Sequence, residues 1–195
     1  NRYMKKIAIF ASGNGSNAEN IIRYFRENEY GAEVALVVCN KPGAGVLTRA
    51  ASLGVHSVVL SRAEINDADK MLGEMERHGI DMVVLAGFLL MVPDFLLERY
   101  KGRIVNVHPS LLPKFGGKGM YGRHVHEAVV AAGEKESGIT IHHVSEHCDE
   151  GQVIFQASVP VLPTDTAEDV EAKIHALERE HFPRVVKECL NESKS

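Results

Sequence analysis

The chain is poor in cysteine, carries no marked excess of either charge and holds no long apolar run. Each scarcity removes a class of function. Its three cysteines, Cys39, Cys148 and Cys189, are spread through 195 residues. They cannot all pair and follow no regular spacing, which excludes a disulfide framework and fits reduced intracellular thiols. A net charge of −4 gives no general attraction to nucleic acid or an anionic membrane, so any phosphate has to be gripped by local groups. The apolar runs fall far short of the ~20 residues a spanning helix needs. Met4-Lys5-Lys6 and the short apolar run after it lack the length of a secretion signal. The expectation is a cytoplasmic protein with neither a nucleic-acid nor a membrane partner. Nothing in the sequence specifies an oligomeric state.

What is present is ordinary for a globular protein: 45% apolar and 25% charged residues, enough for one domain over residues 1–195 with a large core. Strand-like and helix-like segments alternate. Residues 7–11 read as a first strand, and Ala18, Ile21, Ile22 and Phe25 recur at helical spacing. Residues 34–39 form a continuous apolar run, as in a strand covered on both faces. A short helix over 46–53 stops at Gly54, residues 56–60 offer a third strand, and 63–78 read as a polar-faced helix ending at Gly79. Residues 82–86 are the most apolar strand and belong at the sheet's centre. Pro93 suits the first turn of a helix running to Tyr100, and 104–108 is the next strand. A glycine-bearing loop over 109–122 and a short helix over 125–132 follow. Segments 140–144 and 152–159 read as two strands that pair antiparallel. Thr166 with Asp169 caps a final helix whose buried stripe is Val170, Ile174, Leu177 and His181. The fold expected is α/β: an open, mostly parallel, twisted, Rossmann-like sheet with a C-terminal antiparallel strand pair and a final helix.

Gly13-Asn14-Gly15-Ser16-Asn17 sits between the first strand and the first helix. Such a turn lets backbone approach a ligand, and the amides and dipole at the helix start favour an anion. Gly13, Gly15 and Ala18 satisfy the loose dinucleotide fingerprint, but Asn40 stands where that fingerprint wants an acid. A tight turn without a ligand is the alternative.

Asn106 and His108 fall on one face of an alternating strand, ~7 Å apart along it, and Pro109 ends any ladder. A carboxamide beside an imidazolium suits an oxygen that becomes negative as a carbonyl is attacked. Alternatively, Asn106 caps a turn and His108 is a core histidine. Asp149, beside Glu150 and Gly151, reads locally as a turn-capping carboxylate.

The segment Asn106-Val-His-Pro-Ser-Leu-Leu-Pro113 resembles the active-site segment of the folate-dependent formyltransferase family, and Pro109 makes it most similar to the branch that formylates glycinamide ribonucleotide. The similarity runs from about Lys6 to Pro183. It has further anchors in Ser12-Gly-Asn-Gly-Ser-Asn17, Val83-Val-Leu-Ala-Gly-Phe88, and Asp149 before Gly151-Gln-Val-Ile154. The resemblance implies formyl transfer from 10-formyltetrahydrofolate to the amine of glycinamide ribonucleotide, with Asn106, His108 and Asp149 as the catalytic groups. It places Gly13, Asn14, Gly15, Ser16 and Asn17 on the substrate phosphate and Glu178 near the ribose. It also implies a folate pocket built from Leu85, Leu89, Leu90, Met91, Val92, Asn106, Val144, Ser145, Glu146, His147, Cys148 and Asp149. Three features depart from the family: Leu90 stands where many relatives carry a basic residue, segment 61–71 is shorter, and the loop around 114–123 is longer.

His142, His143, His147 and Cys148, with His124 and His126, raise a metal reading. Neighbouring strand positions face opposite sides, and no zinc-type spacing occurs, so no metal is expected. Other readings are a formyl-folate hydrolase, a formyltransferase acting on a different amine such as methionyl-tRNA, and a non-catalytic nucleotide-binding module. The tRNA enzymes carry a further domain and the hydrolases an extra N-terminal one, and neither is expected in a chain of this length.

Overall fold

Lys-Lys-Ile-Ala-Ile-Phe-Ala forms β1, Lys5–Ala11, in a computed structural model that describes residues 3–145 and 151–192. Ile7 through Ala11 are fully inaccessible to solvent, because neighbouring strands and helices cover both faces of this run. β1 pairs in parallel with β2, Ala32–Cys39, and with β4, Met82–Leu85, while β2 pairs in parallel with β3, Ser57–Val59. With β5, Ile104–His108, β6, Glu136–His143, and β7, Val153–Pro160, the sheet runs in the order β3-β2-β1-β4-β5-β6-β7. β6 and β7 pair antiparallel. The mostly parallel sheet with a C-terminal antiparallel pair is as expected.

The chain divides into two compact units, residues 1–105 with 186–195, and residues 106–185. In the first, α1, Ser16–Glu27, buries Ala18, Ile21, Ile22 and Phe25, a spacing that stacks them on one face. Each of the larger three stabilises the unit by roughly 1.5–3 kcal/mol on burial. α2, Gly45–Ser52, turns at Gly54, whose φ is +70°. The single helix expected over 63–78 is two, α3, Arg62–Ile65, and α4, Ala68–Arg77. Both starts are capped: Ser61 and Glu64 form a reciprocal capping box, and the Asp67 carboxylate accepts from the Lys70 amide. Local side-chain bonds here outweigh an unbroken apolar periodicity. Pro93 is the N-cap of α5, Asp94–Arg99, rather than part of its first turn.

In the second unit, α6, Arg123–Ala131, buries Val125, His126 and Val129. β6 begins four residues before the expected start at Thr140, at Glu136. Gly138 hides the earlier start in the sequence, yet it is the residue this position demands. A Cβ there would meet the Ala157 carbonyl and lie 2.6 Å from Leu111 Cδ2. α7, Ala167–Glu192, contains Pro183, which withholds one amide from the helix ladder. Thr166 and Asp169 cap it as expected, the Asp169 amide donating to Thr166 Oγ1 at 3.2 Å and the Thr166 amide to Asp169 Oδ2 at 2.9 Å. Its buried stripe differs from expectation: Val170, Ile174, Glu178 and Phe182 are buried, with Leu177 and His181 only half-buried. A four-residue step, not three, keeps the stripe on the core side, and it puts a carboxylate where an apolar residue was expected.

Candidate active site

β1 passes through Ser12 into the glycine turn, and Gly15 caps α1 with φ +82° and no side-chain cap. A Cβ on Gly15 would lie 2.6 Å from Cα, Cβ and Cγ2 of Val46, and one on Gly45 would lie 3.0 Å from Asn14 Cα. The Val46 amide donates to the Gly13 carbonyl at 3.0 Å, and Arg49 Nε donates to the Asn14 carbonyl at 2.7 Å. The start of α2 is therefore pressed onto the turn, so Gly15 is required by the approach of α2 as well as by its own backbone. A Cβ on Gly13 would meet nothing within 4 Å among the described residues. Ala44, the N-cap of α2, also lacks a side-chain cap. Two helix N-termini whose N-cap residues give no side-chain bond meet here, and both dipoles favour an anion. The Ser16 amide donates to Asn14 Oδ1 at 3.0 Å, and Ser16 and Asn17 are half-buried. Asn40, where a dinucleotide fold needs its acid, instead accepts from the Ser12 hydroxyl at 2.5 Å.

After β4 the chain runs without regular structure from Ala86 to Val92. Leu85 belongs to the core at 7% exposure, whereas Leu89 is 46% and Met91 74% exposed. Leu90 and Val92 are half-buried. This is exposed apolar surface at the end of β4.

In the second unit β5 delivers Asn106, half-buried, and His108, 5% exposed. His108 Nε2 lies 2.8 Å from the Phe115 carbonyl oxygen. A carbonyl only accepts, so Nε2 carries the hydrogen and Nδ1 is the nitrogen left for proton exchange. Phe115 turns its carbonyl with a φ of +54° that side chains rarely adopt. The amide nitrogen of Asn106 lies 3.1 Å from His142 Nε2, and His142 Nδ1 lies 3.0 Å from the His143 carbonyl. The carbonyl again fixes the hydrogen on Nδ1, so Nε2 accepts from Asn106. That bond orients the carboxamide and uses one of its two N–H groups. A register shift between Ile141 and His142 in the β6–β7 pairing re-aims this position.

The segment leaving His108 is pinned to β6 and β7. Thr140 Oγ1 donates to the Ser110 carbonyl at 2.7 Å and accepts from the Leu112 amide at 3.0 Å and from Gln156 Nε2 at 2.9 Å. Gln156 also donates to the Leu112 carbonyl at 3.1 Å. On α7, Glu178 is 5% exposed, and its Oε1 lies 2.9 Å from His175 Nδ1. That hydrogen bond raises the His175 pKa. Burial lowers that of His126, which is 2% exposed and, among the described residues, has no partner at Nδ1.

Of the remaining expected residues, Val144 is half-buried and Ser145 exposed. Glu146, His147, Cys148 and Asp149 lie outside the described residues. Among the described residues no group of three His, Cys, Asp or Glu is placed to hold a metal ion, and no helix is long and apolar enough to cross a membrane. His142, Thr140, Gln156 and the Phe115 carbonyl escaped the sequence reading of the site. Thr140 and His142 do share the alternation that singled out Asn106 and His108, so a paired strand carrying both was a usable signal; a backbone carbonyl leaves none.

The profile of the formyl transferase family matches residues 5–186. The chain is similar to phosphoribosylglycinamide formyltransferase of Bacillus subtilis (strain 168), with 38% identity over 193 residues, covering 96% of this chain and 95% of that one. It is equally similar to part of the trifunctional purine biosynthetic protein adenosine-3 of Drosophila melanogaster, 38% over 193 residues, and spans 14% of that protein's length. Among solved structures, phosphoribosylglycinamide formyltransferase from Streptococcus pneumoniae TIGR4 superposes with a TM-score of 0.84 at 43% identity, covering 96% of this chain and 99% of that one.

Proposed function

Because the chain belongs to the formyl transferase family, we infer that it transfers a formyl group from 10-formyltetrahydrofolate to the amine of glycinamide ribonucleotide, a step of purine biosynthesis. What carries the reading is a carboxamide whose nitrogen is fixed by His142 on the same strand as an imidazole whose Nε2 is fixed by Phe115. The substrate amine supplies the nucleophile, so no side chain has to. Its lone pair forms the new C–N bond as the carbonyl π electrons move onto oxygen. Asn106, with one N–H unspent on His142, donates to that oxyanion. His108, protonated, donates from Nδ1 and then gives this proton to the departing folate nitrogen as the old C–N bond breaks. Asp149 favours the imidazolium and takes up, through water, the proton the amine loses.

The glycine turn, through Gly13, Asn14, Gly15, Ser16 and Asn17, holds the substrate phosphate, and Glu178 meets the ribose. The exposed Leu89 and Met91, with Leu90 and Val92, form one wall for the pterin, and the segment from Val144 to Asp149 supplies backbone groups to its edge. Leu85 supports that wall from the core. In this reading residues 1–195 act as one formyltransferase domain in the cytoplasm, without a metal, on two small-molecule substrates.

The test is consumption of 10-formyltetrahydrofolate with and without glycinamide ribonucleotide. Consumption that requires the ribonucleotide and yields its formyl derivative is expected. Consumption by water alone would make the protein a hydrolase, turnover only with another amine would move the acceptor, and binding without turnover would leave a nucleotide-binding module.

A further inference from the structure

Ser12 joins the glycine turn to the loop that follows β4. It is 3% exposed and immediately precedes Gly13. Its hydroxyl donates to Asn40 Oδ1 at 2.5 Å, at the end of β2, and accepts from the Leu89 amide at 2.9 Å. Its own amide donates to the Gly87 carbonyl at 3.1 Å. Among the described residues, two hydrogen bonds tie the 87–92 backbone to the rest of the unit, and both end on Ser12. Gly87 sits at φ +72°, a conformation that presents its carbonyl to Ser12 and that only glycine adopts freely.

We propose that Ser12 is a positioning residue that couples the two substrate sites, so that an anion seated on the glycine turn sets the pose of the apolar 87–92 loop. The proposal rests on the functional reading above, which puts the phosphate on the turn and the pterin on the loop. The Ser12 hydroxyl has its one hydrogen on Asn40 and a lone pair on the Leu89 amide. It cannot follow a shift of the turn without carrying the Leu89 amide along. A ligand that orders the turn therefore orders the loop, and the second ligand meets part of the ordering already done. By linkage the effect is reciprocal: each substrate tightens the other by the same factor.

The experiment titrates glycinamide ribonucleotide into the protein with and without saturating tetrahydrofolate, a pair that cannot react, and repeats both titrations with Ser12→Ala and Ser12→Thr. In the parent protein each ligand should tighten the other by roughly 5-fold or more. Ser12→Ala should bring this factor to within about 2-fold of unity while the ribonucleotide alone binds nearly as before, and Ser12→Thr, which keeps the hydroxyl, should restore it. If Ser12→Ala does not fold, Asn40→Leu removes the hydroxyl's acceptor and should lower the same factor. No coupling in the parent protein, or coupling undiminished in the variants, overturns the proposal. Failure of the ribonucleotide to bind at all would instead overturn the functional reading, so the two failures are distinguishable. A merely structural Ser12 would lower stability and leave the coupling factor intact.

Discussion

His108 Nε2 and the Phe115 carbonyl oxygen stand 2.8 Å apart, which assigns the two nitrogens of this ring different duties. Nε2 holds the ring in place, and Nδ1 is the nitrogen that the proposed mechanism uses for proton transfer. In the neutral form the hydrogen should therefore reside on Nε2. A ¹⁵N spectrum of the protein with this ring neutral should show Nδ1 with the shift of a bare imine nitrogen. A neutral ring protonated at Nδ1 would reverse the proton-transfer assignment.

The bond between Asn106 and His142 makes these residues partners in one task. Asn106→Ala should lower turnover by about 10²-fold or more if it holds an oxyanion. His142→Phe keeps the ring volume and removes the acceptor, so the carboxamide loses its orientation and turnover should fall roughly 10-fold. In the Asn106→Ala background the same change at 142 should cost almost nothing further. Losses that simply multiply would mean that His142 acts on something other than Asn106.

Gly13 and Gly15 differ sharply although they are two residues apart. Gly15→Ala places a side chain against Val46 in a backbone region that alanine avoids, and should destabilise by about 1–3 kcal/mol or more. Gly13→Ala meets nothing within 4 Å among the described residues and should change stability by less than about 0.5 kcal/mol. Urea unfolding of the two variants checks this, and equal effects would contradict the packing of α2 on the turn.

His126 gives stability a dependence on acid. Burial lowers its pKa, with Glu171, Glu178, His175 and Arg123 as the charged groups around it. An unfolded imidazole titrates near about 6.5, so below that pH the unfolded chain takes up the proton first. The contribution of neutral His126 is complete above about pH 6.5 and shrinks as the pH falls toward the folded value. His175, whose pKa Glu178 raises, has the opposite sign: its contribution is complete below about 6.5 and is lost as pH rises through the folded value. Between pH 7.5 and 5.5 a His126→Phe variant should lose less stability than the parent protein, whatever its absolute stability. Parallel losses would place the acid sensitivity elsewhere.

The apolar runs that became β1, β2 and β4 were legible because Ile7 to Ala11 and Val83 to Val84 are buried on both faces, and burial of that kind writes itself directly into composition. The break between α3 and α4 was obscured because Ile65, Met71 and Met75, all fully buried, keep apolar positions running across it. The caps at Ser61 and Asp67 were the better guide. The resemblance names Glu178, but periodicity does not put it in the buried stripe, since a carboxylate on the core side contradicts the pattern that defines a stripe. At the site, the motif carrying Asn106 and His108 was readable in one glance at a short segment. Their partners were not, because His142 is 36 positions from Asn106 and Phe115 contributes only a main-chain oxygen.

Gly138 shows how dimensional tolerance in this site is distributed. Where a Cβ would project, Leu111 Cδ2 and the Ala157 carbonyl already fill the volume, so the chain leaving His108 rests on bare strand. The seat is keyed by an absence on one side and by the Thr140 hydroxyl on the other. One added methyl on β6 would act as a shim under the segment that starts at the His108 ring. Fine alignment of the chemistry is thus gauged from a neighbouring strand, and a substitution there, without approaching either substrate, would mis-set the instrument at its base.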